Sequence, residues 1–132
     1  MNVKVLVVDD TDHVRTMLVD MLELDEFKVV GQAASGTEAV DLATKKEPDV
    51  IVMDYKMPDM TGLIAAEKIR AVRPTQPIIL YTAYLDEGLE QRAKEAGVAL
   101  CVGKVEGLSQ LERHIRELAR SLGAHHQQTF EL

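Results

Sequence analysis

Asp54 closes an unbroken apolar run, Val50-Ile51-Val52-Met53, and is followed by Tyr55-Lys56-Met57-Pro58. A continuous Val/Ile run reads as a buried central strand of a parallel sheet. The carboxylate then stands at the strand's carboxyl tip, where ligands bind in open α/β sheets. Three further polar signals also follow apolar runs: Asp9-Asp10 after residues 5–8, Thr82 after residues 78–81, and Lys104 after residues 98–103. If all four runs lie parallel, three carboxylates, a hydroxyl and an ammonium share one pocket. Two carboxylates about 4 Å apart repel by ~4 kcal/mol at an effective dielectric of ~20, so such a cluster calls for a cation. Hard oxygen ligands with positions left for water and phosphate select Mg²⁺ or Mn²⁺ over zinc. An aspartate neutralised in this way can attack phosphorus and form an aspartyl phosphate. Lys104 and the Thr82 hydroxyl, with nearby backbone N–H groups, suit the oxygens of a transferring phosphoryl group. No His or Cys near these tips offers a different nucleophile.

The elements that must position these residues alternate along the chain. The first strand is read at residues 3–8. The following helix carries Val14, Met17, Leu18, Met21 and Leu22 on one face at helical spacing. A second strand at residues 28–33 interleaves Lys28 and Gln32, as an edge strand does. Ser35 with Glu38 is a capping-box signal for the second helix, which stops before Pro48. The third strand is residues 50–53, and the helix at 61–72 turns Leu63, Ala66 and Ile69 inward. A fourth strand at 77–81 precedes a helix with Leu85, Leu89, Ala93 and Ala96, closed by Gly97. The fifth strand is residues 98–102. The last helix places Leu108, Leu111, Ile115, Leu118 and Leu122 on one stripe, and Gly123 is its expected stop.

Strict alternation with short loops implies right-handed crossovers and a sheet covered on both faces. The expected fold class is α/β: a flavodoxin-like (βα)5 three-layer fold with a parallel five-stranded sheet in order 2-1-3-4-5. That order puts Asp9-Asp10 beside Asp54 and brings Thr82 and Lys104 alongside. Residues 1–122 form one domain, and residues 123–132 are a C-terminal tail or the start of a linker.

Composition agrees with a single domain. The chain has 132 residues, 46% of them hydrophobic, enough for one layered core. Its net charge of −7, with no Lys/Arg cluster, argues against a direct nucleic-acid contact. The lone Cys101 cannot form an internal disulfide, which fits a reducing compartment. The N-terminus shows no signal-peptide pattern. No stretch approaches the ~20 apolar residues of a membrane span. A soluble cytoplasmic domain is expected.

The sequence resembles the receiver domains of two-component response regulators. The resemblance rests on Asp9-Asp10, on Asp54 with Met57-Pro58-Asp59-Met60-Thr61-Gly62, on Thr82-Ala83 and on Lys104, in the family's order and spacing over residues 3–122. It implies that Asp54 is the phosphoacceptor, and that Asp10, Asp54 and the Lys56 backbone carbonyl bind Mg²⁺ directly. Asp9 would act through metal-bound water, Thr82 would follow the phosphoryl group, and Lys104 would pair with it. The implied partners are a sensor histidine kinase or histidine phosphotransfer protein, a downstream output domain or protein, and a second copy of the chain as a homodimer on phosphorylation. No membrane partner is implied. Segments 31–36 and 69–74 resemble receivers that precede helix-turn-helix output domains.

Four positions tune or depart from the pattern. Lys56 and Tyr84 occupy the places two past the acceptor and two past the Thr, where the family gates water's access to the phosphoryl group. Val105 stands where the family usually has a proline after a cis bond; a cis bond to valine would cost ~2.5–4 kcal/mol, so a trans bond is expected. Cys101 replaces the Tyr or Phe whose rotamer reports activation, so the output must be carried by Thr82 and the loop after the fourth strand.

Blander assignments fit several residues. Cys101 reads as a small hydrophobe rather than a redox sensor. His13 and His114 read as solvated helix positions, His125-His126 as tail residues, and the methionines mostly as core filler. Two rival functions use similar parts. Haloacid-dehalogenase-type phosphatases share the Asp, Thr/Ser, Lys and Mg²⁺ set. Their nucleophile comes first, however, with a second acid two residues on, where this chain has Lys56. A receiver that signals by binding alone needs no acidic pocket. A flavin carrier would need a Ser/Thr/Gly-rich phosphate loop after the first strand. The expectation is therefore a phosphoacceptor domain, not an enzyme beyond Mg-dependent self-phosphorylation and self-dephosphorylation.

Overall fold

The computed structural model describes the backbone of residues 2–131 and the side chains of residues 2–121. The apolar runs become strands β1 (Lys4–Val8), β2 (Lys28–Ala33), β3 (Val50–Met53), β4 (Ile78–Thr82) and β5 (Leu100–Gly103). The amphipathic stretches become helices α1 (Asp12–Leu24), α2 (Gly36–Lys46), α3 (Gly62–Val72), α4 (Glu87–Glu95) and α5 (Leu108–Glu131). The strands form one parallel sheet in the order β2-β1-β3-β4-β5, the expected flavodoxin-like order. Val3 and Pro77 fall just outside their strands. Their carbonyls still accept hydrogen bonds, from Lys28 at 2.9 Å and Ile51 at 3.0 Å.

Side chains alternate across each strand, so the sheet buries two apolar layers. Leu6, Val8, Ile51, Met53, Ile78 and Leu80 face Ala39, Ala43, Ala65, Ala66, Ile69, Leu89 and Ala93. On the opposite face Val5, Val7, Val50, Val52, Ile79 and Val102 meet Leu18, Val19, Leu22, Leu111 and Ile115. The fully buried Leu6, Leu22, Ile51 and Leu111 each contribute about 1.5–3 kcal/mol by leaving water.

Some elements differ from the expectation. On α1 the buried stripe is Leu18, Val19 and Leu22, while Met17 and Met21 point outward at 61% and 43% exposure. Val19 is the β-branched residue whose register the Met spacing obscured. Met53 is buried and Met57 and Met60 are partly buried, so the methionines are not uniformly core filler. Leu85 and Ala96 lie outside α4, whose N-cap is Asp86, its carboxylate accepting from the Leu89 N–H at 2.7 Å. Gly97 follows that helix with φ +90°. α5 runs through Gly123 to Glu131; one glycine weakens a helix by about 1 kcal/mol relative to alanine but does not end it. The side chains of Leu122, His125 and His126 lie outside the described residues.

Ser35 accepts from the Glu38 N–H at 3.2 Å, as a capping box requires. Glu38 returns to Ala34 N–H, also at 3.2 Å, one residue before the cap. Between Lys104 and α5 the chain makes one 3-10 turn, Lys104–Glu106, and no described peptide bond is cis. On α5, Arg116 pairs with Asp25 and lies 4.9 Å over the Phe27 ring, joining the helix to the α1–β2 loop.

Glycine is required at position 62. A Cβ there would sit 2.4 Å from the Asp54 carbonyl oxygen and 2.9 Å from Leu80 Cδ1. The first of these is backbone and cannot yield. Gly62→Ala is expected to lower unfolding stability by at least about 2 kcal/mol in chemical denaturation. Gly88→Ala, whose Cβ would meet nothing closer than 3.4 Å, is expected to be neutral or to gain up to about 1 kcal/mol.

Candidate functional site

Parallel register fixes where the strand tips end. Val8 pairs with Met53, Met53 with Leu80 and Thr82 with Gly103, so residues 9, 54, 82 and 104 emerge along one edge. The Asp54 N–H donates to the Val8 carbonyl at 3.0 Å, and the Asp9 N–H to that of Ala33 at 3.0 Å. The two acidic turns are thus extensions of the sheet.

Carboxylate oxygens of Asp9, Asp10 and Asp54 lie within 4.8 Å of one another. Asp9 is buried at 2% exposure, Asp54 is half-buried and Asp10 is exposed. Lys104 Nζ donates to Asp9 Oδ2 at 3.1 Å and to Asp54 Oδ2 at 3.2 Å. The remaining oxygens are also engaged: Asp9 Oδ1 accepts from Thr11 N–H at 2.9 Å and Asp54 Oδ1 from Tyr55 N–H at 2.7 Å.

Burial is the main force raising the Asp54 carboxyl above its ordinary 3.8, and the neighbouring Asp9 charge adds to it. Lys104 and the Tyr55 N–H pull the other way without cancelling the rise. For Lys104, burial works to lower the ammonium, but Asp54 and Asp9 together outweigh it and the net shift is upward. The two directions have different leading causes: burial for Asp54, and the pull of two carboxylates against burial for Lys104. The all-oxygen donor set with unbalanced negative charge fits a hard divalent ion, and residues 9, 10 and 54 can hold one.

Thr82 is buried, its Oγ1 accepting from the Tyr84 N–H at 3.3 Å. Tyr84 is 72% exposed, and Lys56 Nζ lies 5.5 Å from the centre of its ring. The two residues singled out as tuning positions therefore meet across the mouth of the pocket, as a cation over an aromatic face. Lys104 Nζ similarly stands 5.8 Å from the Tyr81 ring. Cys101 is half-buried on β5, against the apolar layer beneath α4. His13 is exposed on α1 and His114 faces Glu117 of its own helix at 3.7 Å.

Two contributors were not evident in the sequence. Arg15 donates to the Asp9 carbonyl at 2.6 Å and to Asp12 Oδ1 at 2.7 Å, bracing the turn that carries the acidic pair. Its Nε is buried without a partner. The available signal was its place one helical turn after Asp12. Asp59, in the loop after β3, reaches the start of α2. Its Oδ1 accepts from Gly36 N–H at 2.9 Å, and its Oδ2 from Thr37 N–H at 2.9 Å and Thr37 Oγ1 at 2.6 Å. The Thr37 hydroxyl and the two N–H groups hold its carboxyl down at about 2. Nothing local in the sequence announces a contact between residues 37 and 59.

The profile of the response regulator receiver domain matches residues 5–116. Response regulator GacA of Pseudomonas aeruginosa is 38% identical over 117 residues, covering 88% of this chain and 55% of that protein. A protein-glutamate methylesterase/protein-glutamine glutaminase of Photobacterium profundum is 37% identical, covering 91% of this chain and 33% of that protein. The chain thus spans between a third and just over half of these relatives. Among solved structures, a LuxR-family two-component response regulator from Aurantimonas sp. superposes with a TM-score of 0.88 at 27% identity, covering 92% of this chain and 87% of that one. The response regulator domain of Thermotoga maritima CheB covers 100% of this chain and 98% of its own, at 32% identity and a TM-score of 0.73. The fold and the acidic strand-tip pocket define a receiver-type α/β domain. The chain belongs to the response regulator receiver domain family, whose general function is that of a phosphorylation-activated switch in two-component systems. Receiver domains pair with histidine kinases and output domains. Among the described residues no helix is long and apolar enough to cross a membrane.

Two expected outcomes follow from the charges. Because the folded Asp54 carboxyl titrates above 3.8, ionising it costs stability. That cost is absent below the unfolded value and fully present above the folded one. In metal-free buffer, Asp54→Asn is expected to raise the thermal midpoint at pH 7 and to leave it unchanged near pH 3. Burial, with Glu90 nearby, pushes the Cys101 thiol up to about 11. Cys101 is therefore expected to resist alkylation by iodoacetamide at pH 8, and to react only as the pH nears that value.

Proposed function

We propose that this domain, residues 1–122, accepts a phosphoryl group on Asp54 and relays the event through its surface. The observation that carries this reading is Lys104 Nζ lying 3.1 Å from Asp9 and 3.2 Å from Asp54 within a cluster of three carboxylates. A structural ion pair needs one acid; here two acids share one ammonium and Asp10 adds a third carboxylate, leaving negative charge that a bound cation can balance.

Asp10, Asp54 and the Lys56 backbone carbonyl would hold Mg²⁺ or Mn²⁺, with Asp9 behind them. When bound, the ion supplies the positive charge that lets an anionic donor approach. The Asp54 carboxylate attacks phosphorus of a phosphohistidine on a sensor histidine kinase or phosphotransfer protein. A P–O bond forms, the N–P bond breaks, and the electron pair stays on the imidazole nitrogen, which takes up a proton. Lys104, already bonded to Asp54, stays with the new phosphoryl oxygens. The Thr82 hydroxyl gives up its bond from Tyr84 N–H to meet them, which releases the loop after β4. With Cys101 in place of a ring, Tyr84 is the group that reorganises, and the output surface is α4, β5 and α5. The reader of that surface is a downstream output domain or protein, or a second copy of the chain. The absence of a Lys/Arg cluster and the free Cys101 support a cytoplasmic domain without its own nucleic-acid contact.

Incubation with Mg²⁺ and acetyl phosphate is expected to add one phosphoryl group, labile to hydroxylamine, that does not form when a chelator removes Mg²⁺ beforehand or in Asp54→Asn. Equal incorporation in Asp54→Asn would defeat the assignment. Tyr84→Ala removes the ring beneath Lys56 and opens the path of water to the acyl phosphate. A contact of ~0.5–1 kcal/mol corresponds to about two- to fivefold faster loss of the label.

A further inference from the structure

We propose that Asp59 is a positioning residue for the metal site: by clamping the loop after β3 to the start of α2, it holds the Lys56 carbonyl in place. The proposal rests on the reading of the acidic pocket as a Mg²⁺ site. The loop from Tyr55 to Gly62 packs Tyr55, Met57 and Met60 against the core and is held by hydrogen bonds at three places. Tyr55 N–H donates to Asp54 Oδ1 at 2.7 Å, and Gly62 N–H donates to the Tyr55 carbonyl at 2.6 Å, closing the loop on itself. Neither contact ties the loop's middle to anything outside it.

Asp59 supplies that tie, with three hydrogen bonds to Gly36 and Thr37. Met60 adds packing: a Cβ on Gly36 would fall 2.3 Å from Met60 Cγ, so the loop lies directly on that glycine. Only Met57 and Pro58 lie between Lys56 and Asp59, and Pro58 fixes one of the intervening φ angles. Little slack remains between the clamp and the Lys56 carbonyl. A main-chain ligand cannot seek its ion by rotating a side chain, so its aim depends on how the backbone is held.

The plain alternative is that Asp59 only caps α2. Ser35 provides the control, because it caps the same helix through Glu38 N–H and does not hydrogen-bond the loop. Mg²⁺ affinity is measured by isothermal titration calorimetry on the unphosphorylated chain, with thermal unfolding in metal-free buffer alongside. Asp59→Ala and Ser35→Ala are both expected to lower the thermal midpoint. Only Asp59→Ala is expected to weaken Mg²⁺, by about tenfold, the lower end of what supporting groups around a metal site contribute. Thr37→Val, which removes one of the three bonds, is expected to weaken it by about two- to threefold and keeps the test alive if Asp59→Ala does not fold. Unchanged affinity in Asp59→Ala and Thr37→Val, or equal losses in Asp59→Ala and Ser35→Ala, would overturn the proposal. Failure of the unsubstituted chain to bind Mg²⁺ would instead overturn the reading of the pocket itself.

Discussion

Asp9 and Asp54 stand close enough to share a single ammonium, and Asp10 completes a cluster within 4.8 Å. Holding like charges together in a half-buried pocket is unfavourable unless something rigid imposes it. Here the imposing element is the parallel sheet, whose central strands β1, β3 and β4 are buried on both faces. Their cores supply the stability that the tips give back. Each tip continues the ladder by a further hydrogen bond, from Asp9 to Ala33 and from Asp54 to Val8, so neither backbone can move away without breaking main-chain pairing. Lys104 is both the relief of this strain and its gauge, since any change in the charge on Asp54 is first felt at its ammonium.

Around that cluster the loops are tied to one another rather than left free. Arg15 braces the β1–α1 turn through the Asp9 carbonyl, Asp59 anchors the β3–α3 loop on α2, and Lys56 meets Tyr84 between the β3–α3 and β4–α4 loops. The last of these is the weakest, an exposed cation over a ring, and it spans the two loops that a phosphoryl group would touch. A pocket built this way has firm walls and a soft lip.

Most of the frame was legible in the sequence because it rests on periodicity. The continuous runs at 50–53 and 78–81 read as central strands, and the polar residues after them, Asp54 and Thr82, mark the tips. The order of strands followed from alternation and handedness. What periodicity misjudged was α1, where the spacing of Met17 and Met21 resembles that of core residues. The true inward register uses Val19, which flexible methionines mask. Leu85 and Ala96 share that apolar spacing, but α4 starts only after the Asp86 cap and stops at Glu95. The contacts of Asp59 and Arg15 were illegible for a different cause. Their partners are a helix N-terminus 22 residues away and a main-chain carbonyl, and neither leaves a pattern of residue types.

The union of α5 with the α1–β2 loop carries a mechanical consequence. Asp25 and Phe27, which receive Arg116, lie beneath the amino end of β2, the end of the sheet remote from the acidic pocket. The first residue of α5, Leu108, follows Lys104 after a single 3-10 turn and so starts at the pocket end. Leu111 and Ile115, fully buried, seat the stretch between. The two attachments hold α5 across the depth of the sheet, from the acidic pocket to the opposite ends of the strands.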